Sequence, residues 1–540
     1  MIARMIHSLM EKSTHSCSRS WRTSTPRESV PLVRMRLPAT LTLELSGLAV
    51  AVIHKDNTWE AGFGVADINT QEPVTPHTLF YTGSTTKSFA AALASKLVYS
   101  DDDMHQNLNW STPLQELIGE DFVLQDDYAS AHITLIDALS HRTGLPRHDM
   151  SWINGDAHLK GMIQRLRYLP LHNEIRTAYE YCNLMIAAVA YAIETVTAKK
   201  FDQLLHGWIF EPLGMHESVY SIPDAQAMAA DPSNGINLAR GHYYDQKTRE
   251  YVQPSWESMP PGIGAGGITS TVHDYLKWIR VFLHPEQHNT TISTAAVNDM
   301  TFPHTPIAKD SAPYKGTLAY GLGLELGVYR SYDVVSHDGT LAGYMTGMMW
   351  LPELDWGVVV MHNSYNFTHR ALMWFLLDDF LETPTDERFD AIGHTVSLID
   401  SLAERLTTAK TRLYPDAPKD GEKFVAPTLG LESYEGLYRH PGYHNLTIRV
   451  PADQKESVAS STTLELGGAG GSYLNLSGTL EHVNADDWMF RCWMGVQQPF
   501  DDMGKANFVV GESDKVLGMR FQAEPAIDGD RGLAWFEKIT

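Results

Sequence analysis

The 540-residue chain carries a formal charge of −23, with 43% apolar and 20% charged residues. A chain of that size buries more than one core, so two domains are expected. The acidic balance argues against nucleic acid or an anionic lipid surface as partner, because neither gains Coulomb attraction from an acidic protein. The longest apolar run, residues 184–193, spans about half of the roughly 20 residues that a bilayer crossing needs and reads as a buried helix.

Residues 1–40 form a basic, Ser/Thr-rich extension with seven Lys or Arg against two Glu and no continuous apolar stretch. A transit peptide, a disordered extension and a mispredicted coding start remain open readings of it. Cys17, Cys182 and Cys492 offer neither a disulfide framework nor a paired metal spacing. A reducing compartment follows, cytoplasmic in the first instance, with a mitochondrial location as the alternative that the basic extension allows.

Residues 47–54 and 59–66 are short β-branched and aromatic runs separated by Lys55-Asp56-Asn57, the pattern of a hairpin. From residue 84 to 98 the chain turns Ala- and Leu-rich with helical spacing, and to about residue 300 it reads as helices and punctuated loops. Strand character returns at 333–336, 345–351 and 357–362, followed by an amphipathic stretch at 369–381. The order of strands, helices and strands predicts an α+β fold: an antiparallel sheet flanked by helices, an all-helical lobe, and a cleft where the two meet. After a charged helical segment at 386–413 and a stretch with Pro415, Pro418 and Pro427, strand signals dominate and predict a small all-β C-terminal domain, barrel or sandwich. The expected domains are 41–385, a helical and Pro-containing linker at 386–429, and 430–540.

Three short elements carry chemistry. In Tyr81-Thr82-Gly83-Ser84-Thr85-Thr86-Lys87, the spacing of three puts the Ser84 hydroxyl and the Lys87 amine on one helix face, where they can share a proton. A serine hydroxyl becomes a nucleophile only when a base takes its proton, and a lysine shielded from water loses enough pKa to help. A lone S-x-x-K arises by chance about once in a chain of this composition, and its bland reading is a capped helix with a surface lysine. Tyr181-Cys182-Asn183 stands at the mouth of the apolar helix. A cationic lysine beside Tyr181 would favour its phenolate as general base, and Asn183 can hydrogen-bond the lysine and a substrate carbonyl. Alone, Tyr-x-Asn is more often a turn beside a core aromatic. His337-Asp338-Gly339-Thr340 ends a strand-like run. An edge strand there would let Gly339 approach a substrate backbone, and the Thr340 and Ser84 amides would make a two-donor oxyanion hole. Singly, His-x-Gly is usually a turn.

In combination and in this order, the S-x-x-K, Y-x-N and H-x-G elements resemble the signature motifs of class C β-lactamases and their relatives in the serine β-lactamase and penicillin-binding-protein superfamily. Those relatives include D-alanyl-D-alanine carboxypeptidases, D-aminopeptidases, esterases and fungal acyltransferases of secondary metabolism. The segments at 75–80, 139–146, 211–215 and 265–271 resemble recurrent loops of the same family, and the likeness spans roughly residues 41–385. It implies Ser84 as the acylated nucleophile, Lys87 and Tyr181 as the proton-transfer pair, Asn183 as a polar partner, His337 as the third-motif residue, and Gly339 and Thr340 shaping the oxyanion hole. It implies no cofactor, and a small-molecule acyl donor as substrate. His337 stands where β-lactamases usually carry Lys, and Asp338 where Thr is common, so the grip on a β-lactam carboxylate is weakened. Esters, thioesters or amides without that carboxylate become the expected substrates, with water, an alcohol or an amine as acceptor. A non-catalytic binding or sensing protein that keeps the fold is the alternative; retention of all three elements argues against it.

Gly262-Ile263-Gly264-Ala265-Gly266-Gly267 satisfies G-x-G-x-x-G but follows Pro260-Pro261 rather than a strand, which argues against dinucleotide binding. There is no G-x-S-x-G elbow and no H-E-x-x-H. His141, His148 and His273 are most simply loop or capping residues, and no metal is expected.

Overall fold

The computed structural model of the chain describes residues 34–36, 42–44, 47–100, 108–154, 158–245, 250–254, 263–309, 311–341, 343–418, 424–452, 462–468, 476–494, 502–527 and 529–539. The N-terminal hairpin forms as Gly47–His54 and Asn57–Gly64, paired from Gly47 with Gly64 to His54 with Asn57. Its first strand then pairs antiparallel with Trp356–His362, His362 opposite Leu48, so the start of the domain is stitched to its end. Through this junction the sheet reaches eight strands, in the order Thr305–Lys309, Thr317–Tyr320, Glu325–Tyr329, Tyr332–Leu341, Tyr344–Leu351, Trp356–His362, Gly47–His54 and Asn57–Gly64.

Every residue of Tyr344–Leu351 and Trp356–His362 is buried. Both faces of these strands are therefore covered, and they read as continuous apolar runs rather than alternating ones. Helix Val272–Leu283 covers one face, with Phe282 4.8 Å from the Trp350 ring. Helix Thr368–Phe380 covers the other, with Phe380 stacked on Trp356 at 5.4 Å. Helix Thr86–Val98 is buried almost all round, hence its Ala-rich sequence, and Phe89 stacks on Trp278 at 3.9 Å. Truncating such a ring to Ala costs about 3–5 kcal/mol.

The chain separates into two compact units that are not contiguous in sequence. The first, residues 1–109, 199–259 and 264–396, holds the eight-stranded sheet. The second, residues 110–198, 260–263 and 397–540, holds the helical segment with Asn183–Thr197 at its centre, and a closed barrel of eight strands from Gly436–His440 to Ala534–Lys538. The barrel closes where Tyr438 pairs with Lys538. Its interior is filled by rings, among them Tyr434, Tyr438, Trp488 and Phe536, and alternation is plain in Leu464-Glu465-Leu466, buried, exposed, buried. Among the described residues no helix is long and apolar enough to cross a membrane.

Candidate active site

Strand Thr78–Tyr81 delivers the chain to a tight turn at Gly83, whose φ of +54° favours glycine. Ser84 lies in a single 3-10 turn, Gly83–Thr85, just ahead of helix Thr86–Val98 rather than within it. The spacing of three still works: the Lys87 ammonium or amine donates to Ser84 Oγ at 2.9 Å. It also donates to the Ala265 carbonyl at 2.9 Å, and Lys87 is fully buried. The turn is clasped by the segment at 265–271. Both the Thr82 amide and its hydroxyl donate to the Ile268 carbonyl, at 3.0 and 2.9 Å, and Thr85 Oγ1 bonds the Tyr275 hydroxyl at 2.8 Å.

His337-Asp338-Gly339-Thr340 lies inside strand Tyr332–Leu341 rather than ending a shorter one. That strand is interior only in part, because Glu325–Tyr329 pairs with it from Tyr332 to Ser336 and then stops. Tyr329 and Tyr332 flank a two-residue turn with φ of +49° at Arg330 and +70° at Ser331, a type I′ geometry. In that register the even-numbered residues direct their backbone groups towards Glu325–Tyr329. Beyond Ser336 the same side meets the nucleophile turn. A Cβ on Gly83 would stand 2.6 Å from the Thr340 nitrogen, and one on Gly339 would stand 1.8 Å from the Thr82 carbonyl oxygen. The structure thus brings Gly339 and the Thr340 amide against residues 82–84.

His337 is buried between two partners that fix its tautomer. Nδ1 meets the Asp338 carbonyl at 2.6 Å, which can only accept, so Nδ1 carries the hydrogen; Nε2, at 2.7 Å from the Tyr320 hydroxyl, accepts from it. Burial first, and then the positive charge of Lys87, lower its pKa to about 4. The third-motif residue is therefore a neutral imidazole at ordinary pH. Burial alone would raise the Asp338 carboxyl, but the Arg370 guanidinium, bonded to it through Nε, and His369 hold it well below the usual carboxylate range.

Tyr181 and Asn183 lie in the second unit. The Tyr181 ring is 4.4 Å from the His141 ring, and the Arg147 guanidinium sits 5.0 Å over its face. Asn183 opens helix Asn183–Thr197 and donates to Asp149 Oδ1 at 3.0 Å. Cys182 points inward; burial pushes its thiol up to about 12, and its amide donates to His141 Nδ1 at 3.1 Å. His141 is thus a support for the Tyr-x-Asn element, and His148 stands at the N-cap of helix Asp149–Ile153, fully buried and in the left-handed region, φ +46°. His273 pairs with Glu60 at 3.1 Å. The sequence reading missed the Ala265 carbonyl, Tyr320, Arg147, Asp149 and Arg370. A backbone acceptor has no side-chain signature, and the others gain meaning only from partners distant in the chain.

A family model described as Beta-lactamase matches residues 36–381, and one described as a domain of unknown function (DUF3471) matches residues 422–538. An unguisins hydrolase, ungD, of Aspergillus violaceofuscus is 35% identical over 469 residues, covering 82% of this chain and 79% of that protein. A second unguisins hydrolase, of Aspergillus campestris, is 35% identical over 430 residues, 77% of this chain and 78% of the other. The structure of an octameric penicillin-binding protein homologue from Pyrococcus abyssi superposes with a TM-score of 0.53 at 20% identity, covering 88% of this chain and 94% of that one. On the family match over most of the sheet-bearing region and the shared identity with these hydrolases, the chain belongs to the serine β-lactamase family of hydrolases.

Proposed function

We propose that the chain cleaves an ester or amide through an acyl-enzyme on Ser84. The observation that carries this reading is the 2.9 Å contact between Lys87 Nζ and Ser84 Oγ, made by a fully buried lysine. In the first step the Ser84 hydroxyl proton passes to a basic partner, the Lys87 amine or the Tyr181 phenolate, while Oγ bonds to the acyl carbon. The carbonyl oxygen becomes an oxyanion between the Ser84 amide and the Thr340 amide, the latter in a strand that meets the nucleophile turn. Collapse expels the leaving group, which takes the proton back. Water then attacks the acyl-enzyme by the same route and releases the acid. Asn183 orients the acyl carbonyl, and neutral His337 with Tyr320 walls the lysine. Two relatives named as hydrolases favour water as acceptor over an alcohol or amine. The Asp338 and Arg370 pair favours acyl donors without a carboxylate, since Asp338 already occupies that guanidinium.

A fluorophosphonate should label Ser84 in the full chain, and Ser84→Ala should abolish both labelling and turnover of a nitrophenyl ester. Turnover that survives Ser84→Ala overturns the proposal. Labelling with no steady turnover on esters, amides or thioesters would return the chain to the binding or sensing alternative.

A further inference from the structure

The second compact unit contains both the barrel and the residues that surround Tyr181 and Asn183, and residues 147–154 hydrogen-bond to both. Residues 147–154 are held from the barrel side by buried hydrogen bonds. The His148 amide donates to Glu524 Oε2 at 2.5 Å, and the Tyr443 hydroxyl meets His148 Nδ1 at 2.6 Å. Ser151 Oγ donates to the Gly442 carbonyl at 2.7 Å, and Asn154 Nδ2 donates to the carbonyls of Tyr443 and Asn445, each at 3.0 Å. His148, Ser151, Asn154, Tyr443 and Glu524 are all buried. Since His148 Nε2 faces the Pro170 carbonyl at 2.9 Å, it must carry the hydrogen, and Nδ1 accepts from Tyr443. These bonds hold His148 in a single tautomer.

The same segment touches the Tyr-x-Asn element from its other side. Arg147 lies over the Tyr181 ring and donates through Nε to Asp149 Oδ2 at 2.6 Å. Asp149 Oδ1 receives Asn183 Nδ2 and, at 2.7 Å, Trp152 Nε1. Between Arg147 and Asp149 stands His148 with φ of +46°. A residue with a Cβ adopts that conformation uncommonly, histidine more readily than most, and it is held there by its surroundings. Here they are Glu524 on its amide and Tyr443 on its ring.

We infer that the C-terminal barrel positions the Tyr-x-Asn element: Glu524 and Tyr443 fix His148 in a left-handed turn that aims Arg147 at Tyr181 and Asp149 at Asn183. Glu524, Tyr443 and His148 are positioning residues and touch no substrate. The inference rests on the reading of Tyr181 as a proton carrier for Ser84. It gives the barrel a part in catalysis beyond its own stability. A guanidinium over the ring favours the phenolate over the phenol. Loosening the turn therefore moves the acid limb of the rate profile to higher pH, an effect that lost barrel stability alone does not produce.

The test uses the full chain with a nitrophenyl ester, comparing Glu524→Gln and Tyr443→Phe with Val483→Ala. Val483 lies in a separate buried cluster with Ala409, Leu413 and Met489. The first two substitutions each keep side-chain shape, and Tyr443→Phe removes a single hydroxyl. Both should lower kcat by about tenfold or more with KM changed by less than about threefold, and both should shift the acid limb of kcat/KM upward. Val483→Ala should lower the melting temperature and leave the kcat and the limb in place. Adding Tyr443→Phe to Arg147→Met should cost little further activity, because the two act through one contact. A wild-type kcat and limb in Tyr443→Phe and Glu524→Gln overturn the inference, as does the same shift in Val483→Ala. Turnover that survives Ser84→Ala would instead overturn the acyl-enzyme reading beneath it.

Discussion

Gly339→Ala tests the oxyanion geometry most directly, because the new Cβ has nowhere to go. It would stand 1.8 Å from the Thr82 carbonyl oxygen and 3.1 Å from the Ser84 nitrogen. A carbon and a carbonyl oxygen approach to about 3.3 Å, so the strand and the nucleophile turn must part by about 1.5 Å. Both obstacles are backbone, and no side-chain rotation relieves them. Misplacing a reacting group by about 1 Å costs about 10²-fold in rate, and losing one oxyanion donor costs about 10²–10³-fold. The expected result is a fall of about 10²–10³ in the acylation rate, read from the nitrophenolate burst at saturating ester. Overpacking should also destabilise the sheet-bearing unit by about 1–3 kcal/mol, read as a lower melting temperature. Gly467→Ala, whose Cβ would have its nearest neighbour at 3.9 Å, should leave both quantities unchanged. An acylation rate within about threefold of wild type in Gly339→Ala would refute the assignment of the Thr340 amide.

Lys87→Met keeps the length of the side chain but leaves Ser84 Oγ and the buried Ala265 carbonyl without this donor. Acylation should fall by about 10³-fold or more, with about 1–3 kcal/mol lost in a urea titration; normal fluorophosphonate labelling would remove Lys87 from the chemistry. Tyr181→Phe should lower kcat/KM by about 10²–10⁴-fold with little change in melting temperature, and a wild-type pH profile in that variant would exclude the phenol as proton carrier. Stability should fall in acid. Burial, the first cause in each case, brings His148, His242, His337 and His440 to about 4 in the folded chain. The unfolded chain protonates near 6.5 and takes up these protons first. Above that value the four contribute nothing; between pH 6.5 and 4 each removes about 1.4 kcal/mol per pH unit. Glu325, pushed up to about 7 by burial, opposes them by one proton between 4.5 and 7. Urea unfolding from pH 7.5 to 4.5 checks the sign, and a stability that rises towards acid contradicts it.

What the sequence disclosed and what it hid divide along the range of the interactions. The N-terminal hairpin, helix Thr86–Val98 and the Ser84–Lys87 contact are local, set by alternation or by a spacing of three, and were legible. The strands Thr305–Lys309, Thr317–Tyr320 and Glu325–Tyr329 escaped notice. The type I′ turn after Tyr329 is made by Arg330 and Ser331, without the Asn or Gly that normally announces it. The run at 333–336 extends to Leu341 although Asp and Gly are poor strand formers, because pairing with Tyr344–Leu351 outweighs propensity. The direction of the Thr340 amide follows from the register of two hairpins, and Asp338 finds Arg370 across 32 residues of chain. No pattern within a short window carries either fact.

The charges around the nucleophile bear on substrate choice in a way that residue types alone do not. Lys87 and Arg370 both act on His337 and, after burial, hold its imidazole neutral. Their own positions differ. Arg370 is matched by Asp338, and drawing it towards an anionic substrate would leave a largely buried carboxylate uncompensated, which is costly. Lys87 donates to the Ser84 hydroxyl and the Ala265 carbonyl. A neutral His337 leaves no positive charge at position 337, where a lysine would attract a carboxylate already in the ground state. Attraction spent on the ground state lowers KM without raising kcat, whereas charge that meets only the developing oxyanion raises kcat. On the proposed chemistry, a neutral His337 removes a substrate preference while leaving intact the electrostatics that the transition state uses.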